Sequence, residues 1–142
     1  MNRYVFIEMS NQYPFSRVAE IVESEDMPQT SPPGISGSWY KVENDTTVQV
    51  GWKATYEAIG WSYSELAYQD HVDLVSLRMR QKLGAATGWL DLNPVQYKVN
   101  LGSATPEEAA AWIAYQQYYV AVADVKNQAD YPYTVNWPVV PF

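Results

Sequence analysis

The 142-residue sequence contains no cysteine, which excludes both a disulfide framework and a thiolate metal site. It has no run of roughly 18 consecutive apolar residues, so no membrane insertion is expected. The first residues, Met1 to Glu8, lack the long apolar stretch of a signal peptide. We therefore expect a protein of a cytoplasmic, reducing compartment.

Basic residues are also scarce. Nine Lys and Arg stand against sixteen Asp and Glu, which gives a formal net charge of −7. Binding to nucleic acid requires a basic stripe that neutralises phosphates, so nucleic acid is not an expected partner. The acidic residues are in turn too dispersed to imitate DNA.

Aromatic residues, by contrast, are abundant. They make up 15% of the chain, with twelve Tyr and six Trp but only three Phe. Tyr and Trp combine a large apolar body with one polar group and are enriched at recognition surfaces. The composition therefore favours a binding surface that uses some of these rings, although a small domain also fills its core with aromatic side chains.

The first sixty residues have a β-rich pattern. Residues 3–8 are apolar and rich in β-branched and aromatic side chains, which predicts a strand buried on both faces. Residues 38–42 and 47–52 are two further strand-like runs, and the four residues between them suggest a hairpin. Residues 15–25 have apolar side chains at helical spacing and predict a short helix, and the Pro, Gly and Ser that follow predict a loop.

After Trp61 the apolar period becomes helical. One stripe recurs at spacings of three and four and predicts a long helix: Tyr68, Val72, Val75, Met79 and Leu83. Ser62 and Glu65 have the spacing of a capping box just before it, and Gly84 and Gly88 bracket its expected end.

Two more helices are expected in the second half. Residues 94–100 predict a short helix with Asn93 as its cap and Gly102 just past its end. Residues 106–127 predict a longer one, because Thr105, Pro106 and Glu108 form a helix-start signature. The prolines and aromatics of residues 131–142 predict an extended tail.

These elements predict an α+β fold. A small β-rich part with a hairpin, residues 1–61, precedes a helical part, residues 62–142. The helical part has two longer helices, one short helix and the extended tail.

No catalytic, cofactor or metal site is expected from the residues. His71 is the only histidine, and one His with nearby acids lacks the converging ligands of a metal site. Glu107 and Glu108 are explained by helix capping, and no Gly-x-Ser-x-Gly nucleophile motif is present. The sequence therefore predicts a binding protein rather than an enzyme, with no cofactor.

A linear pattern in the second half resembles a known family. Residues 94–102 read Pro-Val-Gln and then Asn-Leu-Gly, and residues 104–108 read Ala-Thr-Pro-Glu-Glu. Trp112 and Tyr115 follow on the helix, and Trp137-Pro138 lies near the end. Over residues 92–142 this order is similar to that of the tail fibre assembly proteins of tailed bacteriophages. Gly-Trp elements at residues 50–52 and 60–63 add a weaker likeness.

The resemblance implies a stoichiometric chaperone that assists folding and assembly of the receptor-binding tip of a trimeric tail fibre. The implied partner is the C-terminal tip of that fibre. In this interpretation the β-rich part, residues 1–61, binds the fibre. Retention on the assembled particle, contact with a surface glycan and self-association stay open. The alternative function is a fibre-tip accessory protein that itself binds cell-surface carbohydrate.

Two sets of residues follow as candidates. The proposed partner contacts are Trp39, Tyr40, Val48, Val50, Trp52, Trp61 and Tyr63. The residues expected to hold the helical part together are Thr105, Glu108, Trp112, Tyr115, Tyr119, Trp137 and Pro138.

Overall fold

A computed structural model describes residues 1–142 and has the predicted α+β fold. Five strands come first: β1 (Asn2–Glu8), β2 (Ser16–Ser24), β3 (Gly37–Val42), β4 (Lys53–Glu57) and β5 (Gly60–Ser64). Three helices follow, α1 (Tyr68–Leu92), α2 (Val95–Leu101) and α3 (Pro106–Ala123), and a short 3₁₀ helix covers Asp124–Asn127.

The strands form one antiparallel sheet in the order β3-β1-β2-β4-β5. The predicted strand at residues 3–8 is confirmed as β1, and its residues 4–8 are buried. Val5 and Ile7 point to one face, where they form the sheet core with Val18 and Ala54. Phe6 lies on the opposite face and is also fully buried, as expected for a strand covered on both sides.

The helix predicted over residues 15–25 is wrong, because this segment is β2. Val18, Ile21 and Val22 have helical spacing but are also β-branched, and such side chains fit a pleated sheet well. β2 pairs with β1 along most of its length and with β4 at one end. Pairing with two neighbours is a tertiary contribution that a short local pattern does not contain.

The predicted hairpin of residues 38–52 is also wrong. β3 does form, but it pairs with β1 and not with the segment that follows it. Residues 47–50 have no regular structure, although Val48 and Trp52 still pack against the sheet core. The Gly51 N–H donates to the Val18 carbonyl, and the Val18 N–H donates to the Trp52 carbonyl, so this segment borders β2.

The real hairpin joins β4 and β5 through Ala58 and Ile59. Ser62 therefore lies in a strand and caps no helix, so the predicted Ser62–Glu65 capping box is wrong. The Ser62 hydroxyl donates instead to the Glu57 carboxylate, at 3.2 Å. α1 begins later, at Tyr68.

The predicted long helix is confirmed as α1. Of its predicted stripe, Val75 is buried and Met79 and Leu83 pack against the helical core, whereas Tyr68 is 57% exposed. The predicted end at Gly84 and Gly88 is wrong. The helix runs through both glycines to Leu92, because an isolated glycine costs a helix only about 1 kcal/mol.

The two later helices agree more closely with the sequence. α2 ends at Gly102, which adopts the left-handed conformation with φ 73°. Its predicted cap is wrong, since Pro94 holds the N-cap position without a side-chain hydrogen bond. α3 begins with the predicted capping box of Thr105 and Glu108, and with the 3₁₀ helix it covers the predicted range.

The chain divides into two compact units, Met1–Leu74 (unit 1) and Val75–Phe142 (unit 2), and the boundary lies within α1. The boundary predicted after Trp61 lies within β5. Unit 1 contains the sheet core. Unit 2 has its own core around Ala86, Tyr115, Tyr118 and Val122. None of the helices combines the length and the apolar character needed to cross a membrane.

Candidate functional site: a groove between two edge strands

The two edge strands of the sheet approach each other. β3 and β5 are four steps apart in the strand order, which in a flat sheet would separate them by roughly 19 Å. The rings of Tyr40 in β3 and Trp61 in β5 nevertheless lie 5.4 Å apart between centroids. The sheet is therefore strongly curled, and its inner face holds the core of Val5, Ile7 and Val18.

Between the two edges lies a groove of about 520 Å³. One side is formed by the end of β3 and the turn after it, and the other by the tip and first residues of β5. Its lining residues are Tyr40, Lys41, Val42, Glu43, Thr46, Thr47, Ile59, Gly60, Trp61, Ser62 and Tyr63. No backbone hydrogen bond joins β3 to β5 across it.

Trp61 is the central side chain of the groove. Its Nε1 is buried and has no hydrogen-bond partner in the protein. A buried donor without an acceptor costs about 1–3 kcal/mol, so this ring stabilises unit 1 less than a hydrogen-bonded tryptophan would. Tyr56 packs edge-on against the same ring, at 5.2 Å, while remaining 72% exposed.

Tyr63 is another polar aromatic side chain of the groove, beside Trp61 and Tyr40. Burial, and then the neighbouring Tyr40, raise the pKa of its phenol above the usual value. The phenol therefore keeps its proton throughout the neutral range and remains a hydrogen-bond donor. At the rim, Ile59 at the tip of the β4–β5 hairpin is 99% exposed. The groove thus combines aromatic walls, polar groups and an exposed apolar rim.

The charge of the unit that holds the groove is strongly negative. Unit 1 has eleven Asp and Glu against four Lys and Arg, whereas unit 2 has five of each. The entire charge excess of the chain therefore belongs to unit 1. Three of its four basic side chains already pair with acids, namely Arg3 with Glu23, Arg17 with Glu8 and Lys53 with Asp70.

The structure brings five of the seven predicted partner contacts together. Five of them pack against the sheet core: Tyr40, Val48, Trp52, Trp61 and Tyr63. Tyr40, Trp61 and Tyr63 also line the groove. The other two lie elsewhere. Trp39 is on the opposite face, packed against Phe6 at 5.3 Å, and its Nε1 donates to the Thr30 carbonyl. Val50 is exposed in a turn.

Sequence reasoning missed the tip of the β4–β5 hairpin, because this hairpin was not predicted. Ile59, which lines the groove, and Tyr56, which packs against Trp61, were therefore not candidates. The available signal in the sequence was the alternation of Ala54 and Tyr56 before Gly60. In the structure Gly60 has a φ of 122°, a conformation that favours glycine. Thr46 and Thr47 also line the groove, although the sequence placed them in the wrong hairpin.

In unit 2 the predicted structural residues are found at defined contacts. Thr105 and Glu108 exchange side-chain-to-backbone hydrogen bonds of 3.1 Å at the start of α3. The Lys98 ammonium also donates to the Glu108 carboxylate. This bond, together with the Thr105 N–H, lowers the pKa of Glu108. The capping box is therefore tied to α2.

The aromatic residues of unit 2 stack on one another. Tyr115 is buried, and its ring centroid lies 5.6 Å from that of Trp112 and 6.1 Å from that of Tyr119. Tyr119 is partly exposed. Trp137 packs against the same core beneath the Lys82 ammonium, 5.2 Å from the ring centroid, and Pro138 beside it is half-buried. Sequence reasoning missed three core rings, Trp89, Tyr118 and Phe142.

No group of three or more His, Asp or Glu side chains is arranged to hold a metal ion. His71 is half-buried on α1 next to Asp70. Asp70 has a structural role: it accepts hydrogen bonds from the Ala67 N–H at 2.9 Å and from the Lys53 ammonium at 3.0 Å. Burial favours its neutral form, but these two bonds outweigh that effect and lower its pKa.

Comparison of the chain with protein-family models, with curated proteins and with solved structures finds no match.

Proposed function

We propose that this protein is a stoichiometric assembly chaperone for the receptor-binding tip of a trimeric tail fibre, from a phage or a phage-derived particle. The observation that carries the proposal is the meeting of two unpaired strand edges at an aromatic groove. The resemblance of residues 92–142 to tail fibre assembly proteins supports the choice of partner. The chaperone acts by binding alone, without a cofactor.

A fibre tip presents a folding problem that such a groove suits. Intertwined β-rich trimers depend on contacts between distant residues, so they fold slowly and expose unpaired strands that aggregate. An edge strand of the chaperone can pair with an exposed fibre strand through the main chain. Exposed apolar groups, such as Ile59 at the groove rim and Tyr56 beside Trp61, can shield apolar fibre surface until the trimer closes.

A second candidate function is binding of cell-surface carbohydrate by the same groove. The lining favours it in one respect, since it includes the hydroxyl-bearing residues Thr46, Thr47 and Ser62 as well as the aromatic residues Tyr40 and Trp61. Sugars present apolar faces and hydroxyl edges, and this lining offers a partner for each. Glycan-array binding by the isolated protein, absent from a Trp61→Ala variant, would favour this function over the chaperone.

Co-expression with the C-terminal segment of the fibre protein encoded beside this gene tests the chaperone proposal. We expect a soluble fibre trimer only when this chain is present, and a complex of the two on pull-down and sizing. Sizing also shows whether the chain stays on the fibre. A fibre that is equally soluble and trimeric alone, with no complex formed, would contradict the proposal.

A matched pair of variants locates the contact. Ile59→Asp places a charge at the groove rim, where the native side chain is 99% exposed. Leu92→Asp makes the same change at the end of α1, where the side chain is 85% exposed. Both variants should fold normally, because neither native side chain is buried. We expect only Ile59→Asp to lower the yield of soluble trimer, and equal yields would place the contact elsewhere.

A further inference from the structure

The direction of the two edge strands constrains what the groove can accept. Each step along β3-β1-β2-β4-β5 is antiparallel, so after four steps β3 and β5 run in the same direction. If these edges paired directly, they would form the only parallel pair in the sheet. Parallel pairing is slightly less stable per residue than antiparallel pairing. A single additional strand, however, can run antiparallel to both edges at once.

We propose that the groove receives one extended segment of the partner protein as a sixth strand, inserted between β3 and β5 and antiparallel to both. This inference rests on the proposed function, because it identifies the part of the fibre that the chaperone holds. Insertion would complete an all-antiparallel closed sheet and satisfy the unpaired main-chain groups of both edges. The lengths of β3 and β5, six and five residues, set the length of the paired segment.

The side-chain pattern of the segment follows from the two faces of a strand. Alternate side chains would point inward, toward Tyr40, Trp61 and Tyr63, whose rings pack against the sheet core. These positions suit β-branched residues, which pack well in a pleated sheet. The intervening side chains would point to solvent. There they would experience the negative electrostatic potential of unit 1, which has eleven acidic and four basic residues.

Charge complementarity therefore assigns basic side chains to the outward positions. Long-range attraction of this kind raises association rates by roughly 10–10³-fold at low salt and is weakened by added salt. Lys41 in the groove lining would repel a basic side chain, but Glu43, two residues away in the same lining, would attract it. The expected occupant is thus an extended segment that alternates Lys or Arg with Val or Thr.

Synthetic peptides test this inference on the intact protein. The probe is acetyl-Thr-Lys-Val-Lys-Val-Lys-Thr-amide, titrated to millimolar concentration while backbone amide shifts are followed by NMR. We expect shifts, and slower hydrogen exchange, in both β3 and β5. The control peptide carries Glu in place of each Lys, and we expect it to bind at least about tenfold more weakly at low salt.

Backbone methylation distinguishes strand pairing from simple charge attraction. One version of the probe is N-methylated at the three Lys residues, and another at the Val residues and the second Thr, so each version loses the donors along one edge. Each version loses three main-chain donors, so it should bind roughly tenfold or more weakly than the parent. Weakening in both versions indicates pairing on both sides.

Other outcomes overturn the inference in distinguishable ways. Absence of binding, or equal binding by all versions, excludes strand insertion. Weakening in one methylated version alone shows addition to a single edge. Equal binding of the Lys and Glu peptides removes the charge assignment. The co-expression experiment remains independent, since a fibre can depend on this chain for assembly even when the peptides show that its strands are not inserted.

Discussion

The two units of this protein build their hydrophobic cores from different kinds of side chain. Unit 1 is a curled antiparallel sheet around small β-branched side chains, with Val5, Ile7 and Val18 fully buried. Unit 2 is helical and fills its core with rings, including Tyr115 and Tyr118. Unit 1 also carries the whole net charge of the chain, whereas unit 2 is balanced.

The difference shows where a partner is expected to bind. In unit 2 the aromatic residues largely stack on one another, so much of their surface is already used within the unit. In unit 1 the aromatic side chains of Tyr40 and Trp61 border a groove between two unpaired strand edges. An abundance of Tyr and Trp thus stabilises one unit and forms a candidate binding surface in the other.

The largest expected effect comes from removing the tail. Truncation after Tyr131 deletes Trp137 and Phe142, and the Phe142 ring stacks on Trp89 at 4.4 Å. Loss of a large core ring typically costs about 3–5 kcal/mol, so unit 2 should lose most of its stability. Hydrogen exchange measured by mass spectrometry should show lost protection in α3 and retained protection in β1. Val139→Ala, at a site 89% exposed, is the control that should change neither.

Unit 1 should be disrupted by a single methyl group at Gly37. A Cβ atom at this position would lie 2.0 Å from the carbonyl oxygen of Ile7 on the neighbouring strand. Gly37→Ala must therefore push β3 away from β1, at a cost of about 1–3 kcal/mol or more.

Gly84→Ala is the matched control for that change. No atom lies within 4 Å of its added Cβ, and the site is inside α1. This variant should be more stable than the native protein by about 0.5–1 kcal/mol. Urea unfolding compares the two variants, and similar effects from both would contradict the close approach of β3 to β1.

The Asp70 site predicts a pH-dependent difference in unit 1. Because the pKa of Asp70 is lower in the folded protein, its contribution to stability is present above its unfolded pKa of about 3.9 and is lost as pH falls through the folded value. Asp70→Asn should lower the free energy of unfolding by about 1.5 kcal/mol at neutral pH. This difference in the free energy of unfolding between the native protein and the variant should disappear below the folded pKa of Asp70. Asp45→Asn, in an exposed turn, should show no such convergence.

The smallest expected effect lies at the start of α3. Thr105→Ala removes the hydroxyl that accepts from the Glu108 N–H and should destabilise unit 2 by about 1 kcal/mol. Thr105→Ser keeps the acceptor and should restore most of this stability. If urea unfolding gives both variants the same loss, the threonine methyl group and not the cap explains the effect.

Prediction from sequence succeeded better in unit 2 than in unit 1. The start of α3 at Thr105 and the end of α2 at Gly102 were both predicted, because capping joins residues only a few positions apart. The segment that became β2 was predicted as a helix, since its strand state depends on pairing with β1 and β4. Three residues that line the candidate groove, Tyr40, Trp61 and Tyr63, were among the predicted partner contacts, whereas Ile59 was not.

By itself, the sequence determined the local features of this protein. It specified the buried strand β1, the capping box of Thr105 and Glu108, and the excess of acid within the first 74 residues. Only the tertiary structure decided which strands became neighbours and that Tyr40 and Trp61, 21 positions apart, would meet. Capping and strand propensity depend on adjacent residues, whereas strand order and the curl of a sheet depend on contacts between distant segments, which no short stretch of sequence encodes.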